Sequence, residues 1–395
     1  MSDFKPLDGI RAVELSHMIM GPSCGMFLAF LGAEVIKVEP LGGDKTRRLT
    51  GMGASFFPLF NRGKKSVEID LETSNGKDAL NAIIGSSDVL VENFRDASLN
   101  RMGLRPDDLR KRFPRLIVVS CKGFLRGPYE HRPALDEVVQ MATGLAYMTG
   151  PAGRPLRVGS SANDIMAGLF GACGVLGALR ERESTGSGRE FRVGLFENSL
   201  LLVAQHMVQF ALTGTEPPPM PDKIFSWPVY DIFRTKDEID MFIGVVTEGQ
   251  WSKFCRLLGL EKFIANPGLQ SKVDQIEARP WTMPIIRQAV AEMASRELAL
   301  KFEAHDIPFA PIAKPSEMYD DPHVNREGGL VTSNTGGEKS FSAPGMPYEV
   351  DGLPDCRNMD VPALGADTLE TLRSLGLDGE SIAKATRRNE KGETG

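Results

Sequence analysis

Five short runs of β-branched and aliphatic residues, at 10–15, 34–38, 64–71, 89–91 and 116–120, alternate with segments of helical pattern at 22–31, 76–84 and 106–112. A strand joined to the next through a helix pairs with it in parallel, because the crossover returns the chain to its starting edge. The alternation therefore predicts an α/β fold, with a Rossmann-like parallel sheet covered by helices on both faces. Gly21-Pro22 opens the first helix, with proline where a backbone N–H has no helical partner in any case. A further short strand reads at 191–193, between a turn at 183–189 and a long helical pattern at 195–212.

Between these elements lies a stretch, 164–179, that is apolar except for its first residue, Asp164, and has glycine at 168, 171, 174 and 177. Each interior glycine costs about 1 kcal/mol of helix propensity against alanine. The pattern thus predicts a buried helix with one face pressed closely against another element. A carboxylate at the start of such a helix is either a cap, shared with Asn163, or a reactive group.

A length of 395 residues exceeds what one ordinary core organises and predicts two domains. The run Pro217-Pro218-Pro219-Met220-Pro221 suits neither a helix interior nor a central strand and marks the boundary. A large domain over 1–215 and a small α+β domain over 225–333 follow. The small one carries a strand at 241–246 and helices near 251–258 and 283–302. The remainder, 334–395, is loop-rich from Gly345 onward, with a last helix near 366–375 and a polar end, 384–395, that reads as mobile.

Several functions are disfavoured by composition and spacing. A net charge of −6 gives neither nucleic acid nor a membrane surface a basic field to bind. The five cysteines are scattered and the five histidines isolated, so no metal site is expected. The first residues lack the basic and apolar regions of a signal peptide, and no charge-free apolar run of about eighteen residues is apparent, which suits a cytoplasmic protein. Strand, glycine turn, helix, strand and Glu39 suggest a dinucleotide site, but Gly21-Pro22-Ser23-Cys24-Gly25 is not GxGxxG and Pro22 removes a phosphate-binding amide. No GxSxG elbow stands between a strand and a helix.

The segments 7–16, Gly21-Pro22, 31–40 and Gly43-Asp44 resemble the N-terminus of the class III CoA-transferases, a family that includes formyl-CoA and carnitine CoA-transferases and the α-methylacyl-CoA racemases. Asn61-Arg62-Gly63-Lys64-Lys65-Ser66 resembles its NRxKxS block, 88–94 its DVLVENF block, and Arg132-Pro133-Ala134-Leu135-Asp136 with Gln140 its RPAFDxxxQ block. Asp164 through Gly168 matches DxxxG, and Ile307-Pro308, Ala310-Pro311 and Asp321-Pro322 extend the similarity over nearly the whole chain.

The resemblance implies a large α/β domain to which the segment 334–395 returns, a small domain from the middle of the chain, and an interlocked homodimer. It implies that Asp164 is the covalent nucleophile, passing through an aspartyl anhydride and an aspartyl-CoA thioester to move CoA from an acyl-CoA to a small carboxylic acid. No tightly bound cofactor or metal is implied; CoA is substrate and product. Asp136, Leu135 and Gln140 are implied as substrate-side neighbours of Asp164. CoA contacts are implied for His17, Met18, Ile19, Met20, Asn93, Phe94, Arg101 and Arg132. Arg62, Lys64, Lys65 and Arg101 are the cations best suited to its phosphates, while Arg154 and Arg157 suggest a dicarboxylate substrate. Racemases of the family use a histidine beside Asp136, where this chain has Leu135, with His131 close by. Relatives often carry a glycine-rich loop after the long helix; this chain has 217–223, without a glycine run.

Overall fold

The computed structural model describes residues 4–336 and 339–387. The chain divides into two compact units, one formed by Met1–Pro221 with Asn325–Gly395 and the other by Asp222–Val324.

In the first unit the elements run β1 (Arg11–Leu15), α1 (Met20–Phe30), β2 (Glu34–Glu39), α2 (Phe56–Phe60), β3 (Lys64–Glu68), α3 (Ser74–Gly85), β4 (Val89–Glu92), α4 (Asp96–Met102), α5 (Pro106–Arg112) and β5 (Ile117–Lys122). They continue with α6 (Asp136–Ala142), α7 (Leu145–Thr149), α8 (Ala162–Thr185), β6 (Glu190–Gly194) and α9 (Leu195–Thr213). Six strands form one parallel sheet in the order β3-β2-β1-β4-β5-β6. Alternate residues of these strands feed two cores. One, around Val35, Val91 and Val119, lies beneath α1 and α8; the other, around Val13, Leu90 and Val118, lies beneath α3 and the C-terminal helices. A sheet buried on both faces explains why its strands read as nearly continuous apolar runs.

Helix α8 is the one described helix long and apolar enough by length and composition to cross a membrane; its charge-free stretch, 165–179, is shorter than the roughly eighteen residues expected of a charge-free span. Its glycines do not share one face. A step of three residues turns a helix about 60° short of a full circle, so four such positions drift through roughly half a turn. Gly168 and Gly171 abut α1, where an added β-carbon would lie 2.2 Å from Ser23 Oγ and 2.9 Å from Cys24 Sγ; Gly174 meets the Phe191 ring of β6, and Gly177 meets nothing within 4 Å.

The second unit holds β7 (Val229–Arg234), β8 (Asp240–Val245), α10 (Glu248–Leu257), α11 (Glu261–Ile264), α12 (Lys272–Glu277), α13 (Arg279–Ala291), α14 (Ser295–Glu303) and β9 (Phe309–Pro311). The strands form an antiparallel sheet in the order β7-β8-β9, over a core that includes Phe233, Trp251, Phe254 and Phe302. The single helix read at 283–302 is two, α13 and α14, broken at 292–294.

The C-terminal segment adds the hairpins β10–β11 (Leu330–Asn334, Ser340–Pro344) and β12–β13 (Glu349–Val350, Leu353–Pro354), then α15 (Thr368–Ser374) and α16 (Gly379–Thr386). It is tied to the β3 side of the sheet: the Asp367 carboxylate accepts from the Ser66 amide at 2.8 Å, and the Ala385 carbonyl from the Asp70 amide at 2.8 Å. Lys384 is therefore helical rather than part of a loose tail; the rest of that tail, from 388 on, lies outside the described residues.

Candidate active site

Strands β1 and β4 are neighbours, yet the chain leaves β1 toward β2 on one side and β4 toward β5 on the other. Loops diverging from adjacent strand ends leave a crevice at the carboxyl edge, the usual binding place in open parallel sheets. A cavity of about 590 Å³ opens there. His17, Met18 and Met20 follow β1, Asn93 to Ser98 follow β4, Lys122 to Phe124 end β5, and Leu195 starts α9 after β6. The segment 130–136 and Asp164 complete the wall. A cavity of the same volume in the second unit contains Arg279 and Arg287, both of which pair with Asp231, at 3.7 and 2.7 Å.

Asp164 is the third residue of α8, and the residue preceding the helix, Ser161, makes no side-chain cap. No hydrogen bond to the half-buried Asp164 carboxylate is present among the described residues, so the capping role is not observed. Burial, reinforced by the charges of Asp136 and Glu137 and opposed by Arg157, raises its pKa to about 7. Asn163, fully buried, donates to Asp136 Oδ1 at 3.5 Å, and its carbonyl accepts from Asn198 of α9 at 3.0 Å. These bonds fix the first turn of α8 against α6 and α9.

Asp136 is the first residue of α6 and is buried in the cavity wall. Gln140, one turn on, donates to its Oδ1, leaving Oδ2 without a partner. Gln140 does not line the cavity; its Oε1 accepts from the Val158 amide at 2.8 Å, holding the loop before α8. Leu135 does line it, 60% exposed. His131 lines it too and pairs with Glu130 at 3.1 Å.

Elsewhere in the lining, the His17 backbone is held at both polar atoms by Asn93: the His17 amide donates to Oδ1 at 3.1 Å, and Nδ2 donates to the His17 carbonyl at 2.7 Å. The His17 ring lies against Phe94, with centroids 5.8 Å apart, and burial lowers its pKa. Met18 and Met20 line the cavity; Ile19, just ahead of α1, is buried in an apolar cluster. Arg132 lies over the Tyr129 ring at 3.8 Å. Arg101, in the last turn of α4, does not line the cavity and donates to Ser98 Oγ at 3.3 Å.

The phosphate cations read from sequence are placed elsewhere. Arg62 is buried and donates to the carbonyls of Leu59 and Pro344, Lys64 is buried against Glu14 at 2.6 Å, and Lys65 pairs with Glu34 at 2.7 Å. Arg154 and Arg157 do not line the cavity, and Arg157 is engaged by Glu137. Besides Arg132, the cavity holds three basic residues not singled out in the sequence: Arg95, Lys122 and Arg192. Lys122 pairs with Glu92 at 3.0 Å and Asp96 at 3.3 Å, and Arg192 reaches Asp96 at 3.5 Å. No carboxylate pairs with Arg95 or Arg132 among the described residues. The signal for Arg95 was its place just after β4, at the carboxyl edge of the sheet.

The sequence model described as CoA-transferase family III matches residues 7–368. An "Acyl-CoA transferase" from Fusarium pseudograminearum is 30% identical, covering 96% of this chain and 86% of its own length. An "Acetyl-CoA:oxalate CoA-transferase" from Acetobacter aceti is 29% identical, covering 89% and 90%. Among solved structures, a CAIB/BAIF family protein from Brucella suis superposes with a TM-score of 0.84 at 26% identity, covering 94% of this chain and all of that one.

Proposed function

Because the chain belongs to CoA-transferase family III, we propose that it moves CoA from an acyl-CoA donor to a carboxylic acid acceptor, with Asp164 as the covalent carrier. The observation that carries this reading is an unpartnered carboxylate facing a cavity at the divergence of β1 and β4.

Asp164 attacks the donor thioester carbonyl, giving an aspartyl acyl anhydride and CoA thiolate. The thiolate attacks the aspartyl carbonyl, which releases the donor as its carboxylate and leaves Asp164 as a CoA thioester. An acceptor carboxylate attacks that thioester, re-forming an anhydride and thiolate. Attack of the thiolate on the acceptor's acyl carbon yields the new acyl-CoA and frees Asp164. Bonds of similar energy replace one another at each step, so the scheme works only if water is kept from the anhydride. A pKa near 7 leaves about half of Asp164 ionised at neutral pH while making it more basic than an ordinary aspartate. Burial raises that pKa most, and Asp136, with one oxygen unpartnered, raises it further and is placed to meet the incoming acid. First-turn amides of α1 and α8 are suited to the tetrahedral oxyanions, a task the glycine-free stretch 217–223 does not supply.

His17, Met18, Asn93 and Phe94 suit the pantetheine arm, and Arg95 and Arg132 are the cavity cations free to meet phosphates. CoA enters and leaves as substrate and product, without a resident cofactor. The second base of a racemase would fall at position 135, where Leu135 moves no proton; His131 lines the same cavity and pairs with Glu130. The family's interlocked homodimer is supported by α9, whose outer residues Leu201, Val208 and Leu212 are exposed, Leu212 by 81%.

Incubation with acyl-CoA followed by hydroxylamine tests the reading: mass spectrometry should find a hydroxamate on Asp164, and Asp164→Ala should lose transfer while still binding CoA. Turnover by Asp164→Ala would end the assignment. Solvent deuterium appearing at the acyl α-carbon without CoA transfer would favour the racemase.

A further inference from the structure

Lys37, on β2, has no solvent exposure. Its ammonium donates to the Ser16 carbonyl at 2.7 Å and lies 3.2 Å from Glu14 Oε1 and 3.2 Å from Asp44 Oδ2. Lys64 completes Glu14 at 2.6 Å, and Arg47 pairs with Glu39 at 2.6 Å. The cations Lys37, Lys64 and Arg47 thus balance the carboxylates Glu14, Glu39 and Asp44. Buried pairs of this kind are poor sources of stability, since an apolar replacement of equal volume usually does as well. Charge balance explains why the network is tolerated; it does not explain why its central ammonium is directed at a backbone carbonyl.

The carbonyl belongs to the residue before a disfavoured turn. Met18 has φ +63°, a left-handed conformation uncommon for a residue with a β-carbon. Such a conformation persists only where its surroundings over-determine it. Here the Met18 amide donates to Thr46 Oγ1 at 3.2 Å, the Thr46 amide to Asp44 Oδ1 at 2.9 Å, and Ser16 Oγ to Glu14 Oε1 at 2.8 Å. Gly21 closes the turn so tightly that a β-carbon there would lie 2.4 Å from Ser16 Cβ. The two residues so held, His17 and Met18, line the cavity with Asp164.

We propose that Lys37 is a positioning residue of this cavity, fixing the Ser16–Met18 turn through the Ser16 carbonyl and so placing the His17 and Met18 wall against which the thioester is held. This rests on the acyl-CoA reading of the cavity. The network is then a rigid base beneath one wall of the site.

The test uses two variants of the full chain. Lys37→Met/Asp44→Asn removes one positive and one negative charge together, so the remaining network stays neutral. Thr46→Val removes only the acceptor of the Met18 amide. Hydrogen exchange of the peptide spanning 16–20 should accelerate by about tenfold or more in the double variant, with exchange elsewhere unchanged. Its kcat should fall about 10- to 100-fold, as expected for a misplaced reacting group, with the KM for acyl-CoA changing far less. Thr46→Val should show the same pattern, weaker, at an unchanged melting temperature. Unchanged exchange or unchanged kcat in either folded variant overturns the proposal, as does a kcat loss that only follows the fraction unfolded. Should the double variant fail to fold, Thr46→Val decides. If the wild type transfers no CoA, the functional reading fails, and the exchange measurement still reports on Lys37.

Discussion

Ser23 Oγ lies 3.3 Å from the main-chain carbonyl oxygen of Asp164, where α1 meets the first turn of α8, with nearer acceptors for its proton in the Ile19 and Met20 carbonyls at 2.8 and 2.9 Å. The contact is available because Gly168, one turn further along, has no side chain: a β-carbon there would lie 2.8 Å from the Cys24 amide nitrogen and 2.9 Å from the Met20 carbonyl oxygen. The glycine seam therefore sets where Asp164 stands relative to the loop after β1.

Gly168→Ala should destabilise the protein although alanine is the better helix former. Overpacking against backbone atoms costs about 1–3 kcal/mol, more than the ~1 kcal/mol gained in propensity. Because α8 must move away from α1, kcat should fall as well. Gly177→Ala, with nothing near its β-carbon, should stabilise by up to about 1 kcal/mol and leave kcat unchanged. Denaturant titration and steady-state kinetics on the two variants check the contrast.

Activity should rise with pH through the pKa of Asp164. With that pKa raised to about 7, kcat/KM for the acyl-CoA should increase below neutrality and level off above about pH 8. Stability should run the other way. The folded protein holds the Asp164 proton more tightly than the unfolded chain, so stability falls as pH rises from the ordinary aspartate range through about 7. Asp164→Asn should therefore be more stable than the wild type at pH 8, on the order of 1–3 kcal/mol, with the difference closing toward pH 4. Melting curves across that range provide the measurement.

Arg95→Met and Arg132→Met should each raise the KM for acyl-CoA by about tenfold or more, the usual loss for one charge-assisted hydrogen bond. The kcat should hold. An acyl-pantetheine donor, which lacks the nucleotide phosphates, should not distinguish either variant from the wild type. Lys64→Met, by contrast, should act on stability, since Lys64 is buried against Glu14.

Val208→Glu, on the exposed apolar face of α9, should convert a dimer to monomers in light scattering at micromolar concentration. A wild type that is already monomeric would remove the basis for this prediction.

The central strands β1, β2, β4 and β5 were legible because they are buried on both faces and carry aliphatic residues at most positions, while the edge strands β3 and β6 are shorter of aliphatic residues and showed mainly by their place in the alternation. Asp164 was legible because a charged residue at the head of a glycine-spaced helix is conspicuous. The helices α4, α6 and α7, of five to seven residues, are too short to show a period. The break between α13 and α14 carries neither glycine nor proline, Glu292-Met293-Ala294, so nothing local announced it. The engagement of Arg62, Lys64 and Lys65 inside the protein was not legible for a different reason. Whether a cation is free depends on its neighbours in space: Lys64 is paired with Glu14, fifty positions earlier in the chain, and Arg62 is buried with its guanidinium hydrogen-bonded to the carbonyl of Pro344. Composition says how many cations there are; only the fold says which of them already have a counterpart.

Helix α9 has two duties on opposite sides. Its inner side holds the Asn163 carbonyl through Asn198 and meets Thr143, at the end of α6, through Ser199 at 2.6 Å; its outer side is the bare apolar face. If a second copy covers that face, catalytic competence and subunit association are thermodynamically linked. Specific activity would then decline on dilution through the dissociation constant, and saturating acyl-CoA would pull the subunits back together.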